Sequence, residues 1–139
     1  MTRHTFLLKS RWSDLDAYRH VNNVTWLEYL QEARADMLFV HAPDRGAARL
    51  ADAILVVRAE IDYRRPMVFR QEPYAIRLWV SKLGAASFTI SYEIADPPAA
   101  GGSTVYGRAQ TVLAPVDLES GAPRRLTPQE REVLGHFLE

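Results

Sequence analysis

The chain has no cysteine among its 139 residues. This absence excludes disulfides, thiolate zinc sites and a cysteine nucleophile. Lysine and arginine together number 17, as do aspartate and glutamate, so no net charge favours nucleic acid or an anionic membrane as a partner. No apolar run approaches the roughly 18 residues of a membrane span, and the apolar run within residues 1–9 is too short for a signal peptide. We therefore expect a cytoplasmic protein with no membrane span and no nucleic-acid partner.

Several common catalytic motifs are also missing. The chain has no Gly-x-Ser-x-Gly nucleophile elbow, no phosphate loop ending in Gly-Lys-Ser or Gly-Lys-Thr, and no Gly-x-Gly-x-x-Gly fingerprint. Its four histidines are scattered without the spacing of metal ligands: His4, His20, His41 and His136. His20 with Asp14 and Asp16 would form only a weak metal triad. We therefore predict neither a metal site nor a cofactor.

Length and composition favour one globular domain. Hydrophobic residues make up 47% of the chain and charged residues 24%, as in an ordinary globular protein. A chain of this length can bury roughly two-thirds of its unfolded surface in one core. There is no internal repeat, and we expect a single domain over residues 1–139.

A helical pattern runs from residue 24 to about residue 40. Apolar side chains recur there at three- and four-residue spacing: Trp26, Leu27, Leu30, Ala33, Met37 and Leu38. Either Asn22 or Asn23 is suited to cap the helix. Thr25 with Glu28 three residues later could form a capping box. The start of the helix is therefore predicted to within about two residues.

Alternation with a period of two after the helix predicts strands. With a β-rich segment near the start, five strands are predicted: Thr5–Trp12, Ala53–Tyr63, Tyr74–Ser81, Ser87–Ile94 and Ser103–Val116. Pro43–Gly46 should form a turn, and a short helix over Pro128–Leu138 with Thr127 as its cap should close the chain. Short links favour antiparallel pairing, and the lack of strand–helix alternation disfavours a doubly wound nucleotide fold. We expect an α+β fold in which an antiparallel sheet of about five strands wraps around one long helix.

The segment from Ser13 to Asn23 carries the strongest indication of function. Two carboxylates, a histidine and two amides precede a helix N-terminus, where backbone N–H groups stabilise anions and oxyanions. Asp16 could attack a bound carbonyl or remove a proton from water, while backbone amides of residues 21–23 stabilise the oxyanion. An ionised carboxylate is a poor proton donor, which suits a thiolate leaving group, since a thiol has a pKa of about 8.5. Thioester hydrolysis therefore fits better than amide hydrolysis.

The same residues also have a purely structural interpretation. Asp14 and Asp16 can form Asx-turns, and Asn22 and Asn23 can simply cap a helix. A loop histidine such as His20 is more often a hydrogen-bonding residue than a catalyst. Composition and spacing leave both interpretations open.

A resemblance to a known family favours the catalytic interpretation. Asp14-Leu15-Asp16, then His20-Val21-Asn22-Asn23, then Trp26–Arg34 resembles the entry segment of hotdog-fold acyl-CoA thioesterases of the 4-hydroxybenzoyl-CoA thioesterase type. The similarity continues at Tyr63–Pro66 and covers nearly the whole chain, although only the entry segment is specific. It implies the hotdog fold, an acyl-CoA substrate, and a homodimer or homotetramer with sites at the subunit interface.

The resemblance also implies roles for single residues. Asp16 matches the catalytic aspartate, and we assign His20 and Asn23 to the same catalytic group. The backbone amides of Val21 and Asn22 correspond to the region that polarises the thioester carbonyl. Arg and Lys side chains, often from the partner subunit, hold the CoA phosphates in this family, and the candidates in this chain are Arg64, Arg65 and Lys82.

One position departs from the family pattern. Arg19 stands where a glycine usually precedes His-Val-Asn-Asn. If that glycine uses a positive φ, Arg19 is strained or the loop takes another path. Other hotdog thioesterases place the working carboxylate on the long helix, which makes Glu28 and Glu32 reserve candidates.

We therefore expect an acyl-CoA thioesterase with Asp16 as nucleophile or general base. The first alternative is a non-catalytic hotdog module that binds an acyl-thioester. The second is a module that serves only as an oligomeric partner. Turnover of a CoA thioester distinguishes the enzyme from both.

Overall fold

The computed structural model describes residues 3–40, 53–98 and 104–139. The strands are β1 (His4–Leu8), β2 (Ile54–Tyr63), β3 (Tyr74–Leu83), β4 (Phe88–Ala95) and β5 (Val105–Pro115). The α-helices are α1 (Asn23–Ala35), which continues as a wider π-helical turn over Asp36–Val40, and α2 (Pro128–His136). No helix in these ranges is long and apolar enough to cross a membrane.

The strands form one antiparallel sheet with the order β1-β3-β4-β5-β2. β1 pairs with the first half of β3, and the C-terminal end of the chain continues this edge, because Leu138 forms a bridge with Val80. β2 forms the opposite edge, and most of its side chains are exposed. The predicted α+β architecture, a five-stranded sheet around one long helix, is confirmed, and it is the hotdog arrangement.

α1 packs its buried side chains against the inner face of the sheet. Five of the six predicted core positions on the helical segment are buried: Trp26, Leu30, Ala33, Met37 and Leu38. Leu27 was predicted wrongly, since 42% of it is exposed. Tyr29 takes an inward position instead, and its hydroxyl donates a hydrogen bond to the buried carboxylate of Asp14.

Both helix starts use the expected capping chemistry, with one correction. Asn22 caps α1, since its side-chain oxygen accepts the N–H of Val24 at 2.9 Å. Thr25 lies inside α1, so the capping box predicted for Thr25 and Glu28 is wrong. α2 begins with Thr127 as N-cap.

The predicted strands agree with the observed ones except at the start. β1 ends at Leu8 rather than Trp12, because Trp12–Asp14 form a single 3-10 turn. In that turn the backbone N–H of Asp14 donates to the carbonyl of Arg11, while the Asp14 carboxylate accepts the Arg11 side chain. The predicted turn at Pro43–Gly46 lies outside the described residues.

Candidate active site

The loop before α1 closes on itself as a tight hairpin. Leu15 bridges Val21, the N–H of Asp16 donates to the carbonyl of His20 at 3.0 Å, and the N–H of Arg19 donates to the carbonyl of Asp16 at 3.0 Å. A three-residue hairpin loop of this kind ends with a residue in the left-handed region. Arg19 takes that place with φ 64°, and no other non-glycine residue in the described ranges has a positive φ. The loop therefore follows the path that a glycine would allow, with Arg19 under backbone strain.

Asp14 has a structural role. Its carboxylate is buried and accepts hydrogen bonds from the Arg11 guanidinium and the Tyr29 hydroxyl. Burial works against ionisation of Asp14, but the hydrogen bonds from Arg11 and Tyr29 outweigh it and lower the pKa of the carboxyl below its ordinary value. The same burial and the Asp14 carboxylate raise the pKa of Tyr29. Asp14 thus stays an anion that holds the loop to the helix.

Asp16 is the accessible carboxylate of the pair. It is half-buried, and its Oδ1 accepts the backbone N–H of Tyr18 at 2.9 Å. Its Oδ2 lies 3.5 Å from the side-chain nitrogen of Asn22. No cation is paired with Asp16 in the described part of the chain. The carboxylate is therefore oriented by two neutral donors and open to a ligand.

A cleft of about 330 Å³ lies beside this carboxylate. Its walls come from the loop, from the first turn of α1 and from the end of β2 with the residues after it: Asp16, His20, Val21, Asn23, Trp26, Tyr63, Arg64, Arg65 and Pro66. The sequence predicted six of these as site residues, and they meet although about 40 residues separate the two segments.

The two amides predicted to bind an oxyanion have acceptors within the chain. The N–H of Val21 donates to the carbonyl of Met67 at 2.8 Å, and the N–H of Asn22 donates to the carbonyl of Asp14 at 2.9 Å. Both donors are thus already used within the chain. The N–H of Asn23, the first residue of α1, has no acceptor among the described residues. It is one of the N–H groups that a helix start leaves without an intrahelical partner.

Two cations border the cleft. The backbone N–H groups of Arg64 and Arg65 both donate to the carbonyl of Tyr106 at 2.9 Å, which fixes this segment against β5. Both side chains are exposed, and neither guanidinium has an ion-pair or hydrogen-bond partner in the described ranges. The site therefore combines a carboxylate on one wall with two unpaired positive charges on the other.

Three other candidates lie away from this cleft. Across the sheet, Tyr63 on β2 is level with Ile76 on β3. Lys82 lies six residues farther along β3, and at ~3.3 Å per residue this places it roughly 20 Å from the level of the cleft. Glu28 and Glu32 are exposed on α1 and line a separate cavity next to β1. Within a single chain, none of the three side chains belongs to the Asp16 site. In the part of the chain that the structure describes, no group of three or more histidine and carboxylate side chains could hold a metal ion.

The sequence did not single out Tyr63 and Trp26 as site residues. The Tyr63 hydroxyl donates to the backbone carbonyl of Asn23 at 2.8 Å, and its ring packs edge-on against Trp26 with centroids 4.8 Å apart. Tyr63 could have been recognised from its position, because it is the last residue of a predicted strand and directly precedes the two arginines. Trp26 was assigned to the core because of its helical spacing, and it is both buried and part of the cleft wall.

The chain is similar to known proteins along most of its length. A family model described as the thioesterase-like superfamily matches residues 10–136. The long-chain acyl-CoA thioesterase FadM of Escherichia coli (strain K12) is 32% identical over 127 residues, covering 91% of this chain and 93% of that protein. The crystal structure of YbaW, a probable thioesterase from Escherichia coli, is 27% identical with a TM-score of 0.76 and covers 100% of both chains. A thioesterase from Thermus thermophilus, solved in complex with coenzyme A and zinc, is 22% identical with a TM-score of 0.77, covering 96% of this chain and 92% of that chain. The chain belongs to the thioesterase-like superfamily of hotdog proteins.

Proposed function

We propose that the protein hydrolyses an acyl-CoA thioester to the free acid and CoA, with Asp16 as the catalytic carboxylate. One observation carries the proposal: the same cleft is lined by Asp16, whose carboxylate is open, and by Asn23, whose N–H has no acceptor among the described residues. Thioester hydrolysis can use a carboxylate as nucleophile or base together with a backbone N–H that stabilises the oxyanion. The name of the relative FadM, a long-chain acyl-CoA thioesterase, supports the substrate class.

In the proposed reaction the thioester carbonyl oxygen accepts the N–H of Asn23. Asp16 then either attacks the carbonyl carbon, giving a mixed anhydride that water hydrolyses, or takes a proton from the water that attacks. In both routes the C–S bond breaks and the sulfur leaves as a thiolate, which needs no proton donor because a thiol has a pKa of about 8.5. His20 lines the cleft with its imidazole unpaired among the described residues, which makes it a candidate substrate contact.

The CoA moiety is assigned to the basic wall of the cleft. Arg64 and Arg65 are unpaired and exposed, so they can form charge-assisted hydrogen bonds to phosphate. Lys82 is too far from the cleft of its own chain, and it remains a candidate only as a contact supplied by a partner subunit.

We also propose a homodimer or homotetramer built through the free edge of β2. An edge strand presents unpaired backbone N–H and C=O groups that can pair with another strand. In β2 the side chains of Leu55, Val56 and Val57 are 54%, 48% and 64% exposed, which is unusual for three consecutive apolar residues. The pairing of two β2 strands would cover them and would place the Tyr63 end of each strand, with its cleft, near the partner.

A cytoplasmic location also stays a prediction.

A thiol-release assay over aromatic, short, medium and long acyl-CoAs tests the function directly. The proposal predicts turnover of at least one class, with equal amounts of acid and thiol formed. Tight binding of CoA thioesters without thiol release would instead support the non-catalytic module. A loop changed by Arg19 would be one cause of such a loss of turnover, but the φ of 64° keeps the loop on a path that glycine would also allow. Incorporation of labelled oxygen from water into Asp16 in a single turnover would distinguish nucleophile from general base.

A further inference from the structure

We propose that Tyr63 is a positioning residue whose hydroxyl sets the orientation of the first turn of α1, and with it the Asn23 N–H, toward the thioester carbonyl. This inference rests on the proposed function. Tyr63 acts through the backbone of Asn23, which its hydroxyl contacts, and needs no contact with the substrate.

The contact is a single directed hydrogen bond. The Tyr63 hydroxyl donates to the carbonyl oxygen of Asn23 at 2.8 Å. Asn23 itself is exposed, and no other side chain in the described ranges forms a hydrogen bond to it. The neighbouring residues have other supports, because Val21 is held by Met67 and Val24 by the Asn22 cap. The peptide unit that carries the Asn23 N–H is also held by the hydrogen bond from the Thr25 N–H to the Asn22 carbonyl at 2.9 Å, and the Tyr63 hydroxyl adds the hydrogen bond that ties Asn23 to the end of β2.

The Tyr63 ring is held in place by packing. It lies edge-on to the buried ring of Trp26, and Trp26 in turn lies over Gly107, the β5 residue that pairs with Tyr63. A Cβ atom at Gly107 would lie 2.5 Å from the Trp26 ring and 2.7 Å from the carbonyl oxygen of Asp62, so only glycine fits there without displacement. The end of β2 thus presents the hydroxyl to the helix start from a fixed direction.

The expected effect is on catalysis more than on substrate binding. An oxyanion donor works only when it is preorganised at the position where charge develops, and removal of such a donor lowers kcat by about 10²–10³-fold. Loss of the Tyr63 hydroxyl should lower kcat less than loss of the donor itself, because the Asn23 N–H remains in the chain but samples other orientations. The remainder of the cleft, including the basic wall, is unchanged, so the affinity for substrate should be retained.

The test is the Tyr63→Phe variant, which keeps the ring and its packing on Trp26. With the acyl-CoA that the wild type hydrolyses best, we expect kcat to fall about 10-fold or more while KM stays within about twofold. Thr5→Val is the control, since it removes an exposed hydroxyl from β1, at the edge of the sheet opposite β2, and this hydroxyl has no partner among the described residues. Unchanged kcat in a folded Tyr63→Phe protein would overturn the inference while leaving the proposed function intact.

A second measurement does not depend on turnover. In nitrogen-15-labelled protein, hexanoate serves as a carboxylate probe, and the amide signal of Asn23 is followed during titration. We expect a saturable shift of that signal in the wild type and in Thr5→Val, and a clearly smaller one in Tyr63→Phe. Equal shifts in all three proteins, or no shift in the wild type, would overturn the inference even if no acyl-CoA were hydrolysed.

Discussion

The side chain of Asn22 joins the helix start to the candidate catalytic carboxylate. Its oxygen accepts the N–H of Val24, and its nitrogen lies 3.5 Å from Oδ2 of Asp16. One amide thus caps α1 and orients Asp16 at the same time. These two roles use opposite ends of the amide, so they can be separated by substitution.

Asn22→Ser should keep the cap and lose the contact with Asp16, because a serine hydroxyl can accept the Val24 N–H but cannot reach the carboxylate as well. Asn22→Ala should lose both. We expect the alanine variant to be less stable than the serine variant by about 1 kcal/mol in urea denaturation, with kcat reduced in both. If the serine variant had full activity, the contact between Asn22 and Asp16 would have no catalytic role.

Arg19 is the strained position of the loop. A left-handed conformation costs a residue with a side chain roughly 1–2 kcal/mol, and glycine avoids this but loses about 0.5–1 kcal/mol through the freedom of its unfolded chain. Arg19→Gly should therefore be more stable than Arg19→Ala by about 0.5–1 kcal/mol in the free energy of unfolding. The alanine variant controls for loss of the charge. Equal or lower stability of the glycine variant would show that the φ of 64° is not maintained in solution.

Gly107 is needed for the close approach of Trp26. Gly107→Ala places a methyl group against the indole and the Asp62 carbonyl, and we expect a loss of stability of about 1–3 kcal/mol by overpacking. Gly135→Ala in α2 is the matched control, since a Cβ there meets no atom within 4 Å and alanine favours a helix. Denaturation curves of the two variants check the prediction. If both variants were as stable as the wild type, the packing between Trp26 and β5 would be looser than the structure indicates.

The basic wall should act on the nucleotide part of the substrate. The double variant with Arg64→Gln and Arg65→Gln should raise KM for an acyl-CoA about 10-fold or more, since a charge-assisted hydrogen bond contributes about 1.5–3 kcal/mol. KM for the same acyl group on pantetheine, which lacks the nucleotide phosphates, should be unchanged. Arg3→Gln is the control, because Arg3 pairs with Glu139 at the opposite edge of the sheet. A similar rise in KM for both substrates would place the arginines near the acyl group instead.

Short-range sequence patterns predicted much of the secondary structure and of the core. Helical spacing placed Trp26, Leu30 and Met37 inside, and the cap at Asn22 follows from the chemistry of a helix start. The resemblance picked out Asp16 and the arginines after β2 as site residues, and the structure shows that they line one cleft of a single chain.

Contacts between distant segments could not be read in this way. The carbonyl that occupies the Val21 amide belongs to Met67, and the hydroxyl that supports Asn23 comes from Tyr63. Which backbone amide keeps a free N–H depends on these partners, and they are distant in the sequence. Leu27 was expected inside and is exposed, while Tyr29 is buried with its hydroxyl on the Asp14 carboxylate, a contact that helical spacing does not reveal.

The central claim is that Asp16 performs the chemistry. It is tested most directly by kcat for thiol release from the best acyl-CoA in folded Asp16→Asn, compared with Asp62→Asn, which removes a carboxylate from exposed β2. We expect Asp16→Asn to lose about 10²–10⁴-fold in kcat, as for removal of a general base or nucleophile, and Asp62→Asn to stay within about twofold of the wild type. Near-normal kcat in Asp16→Asn would contradict the account.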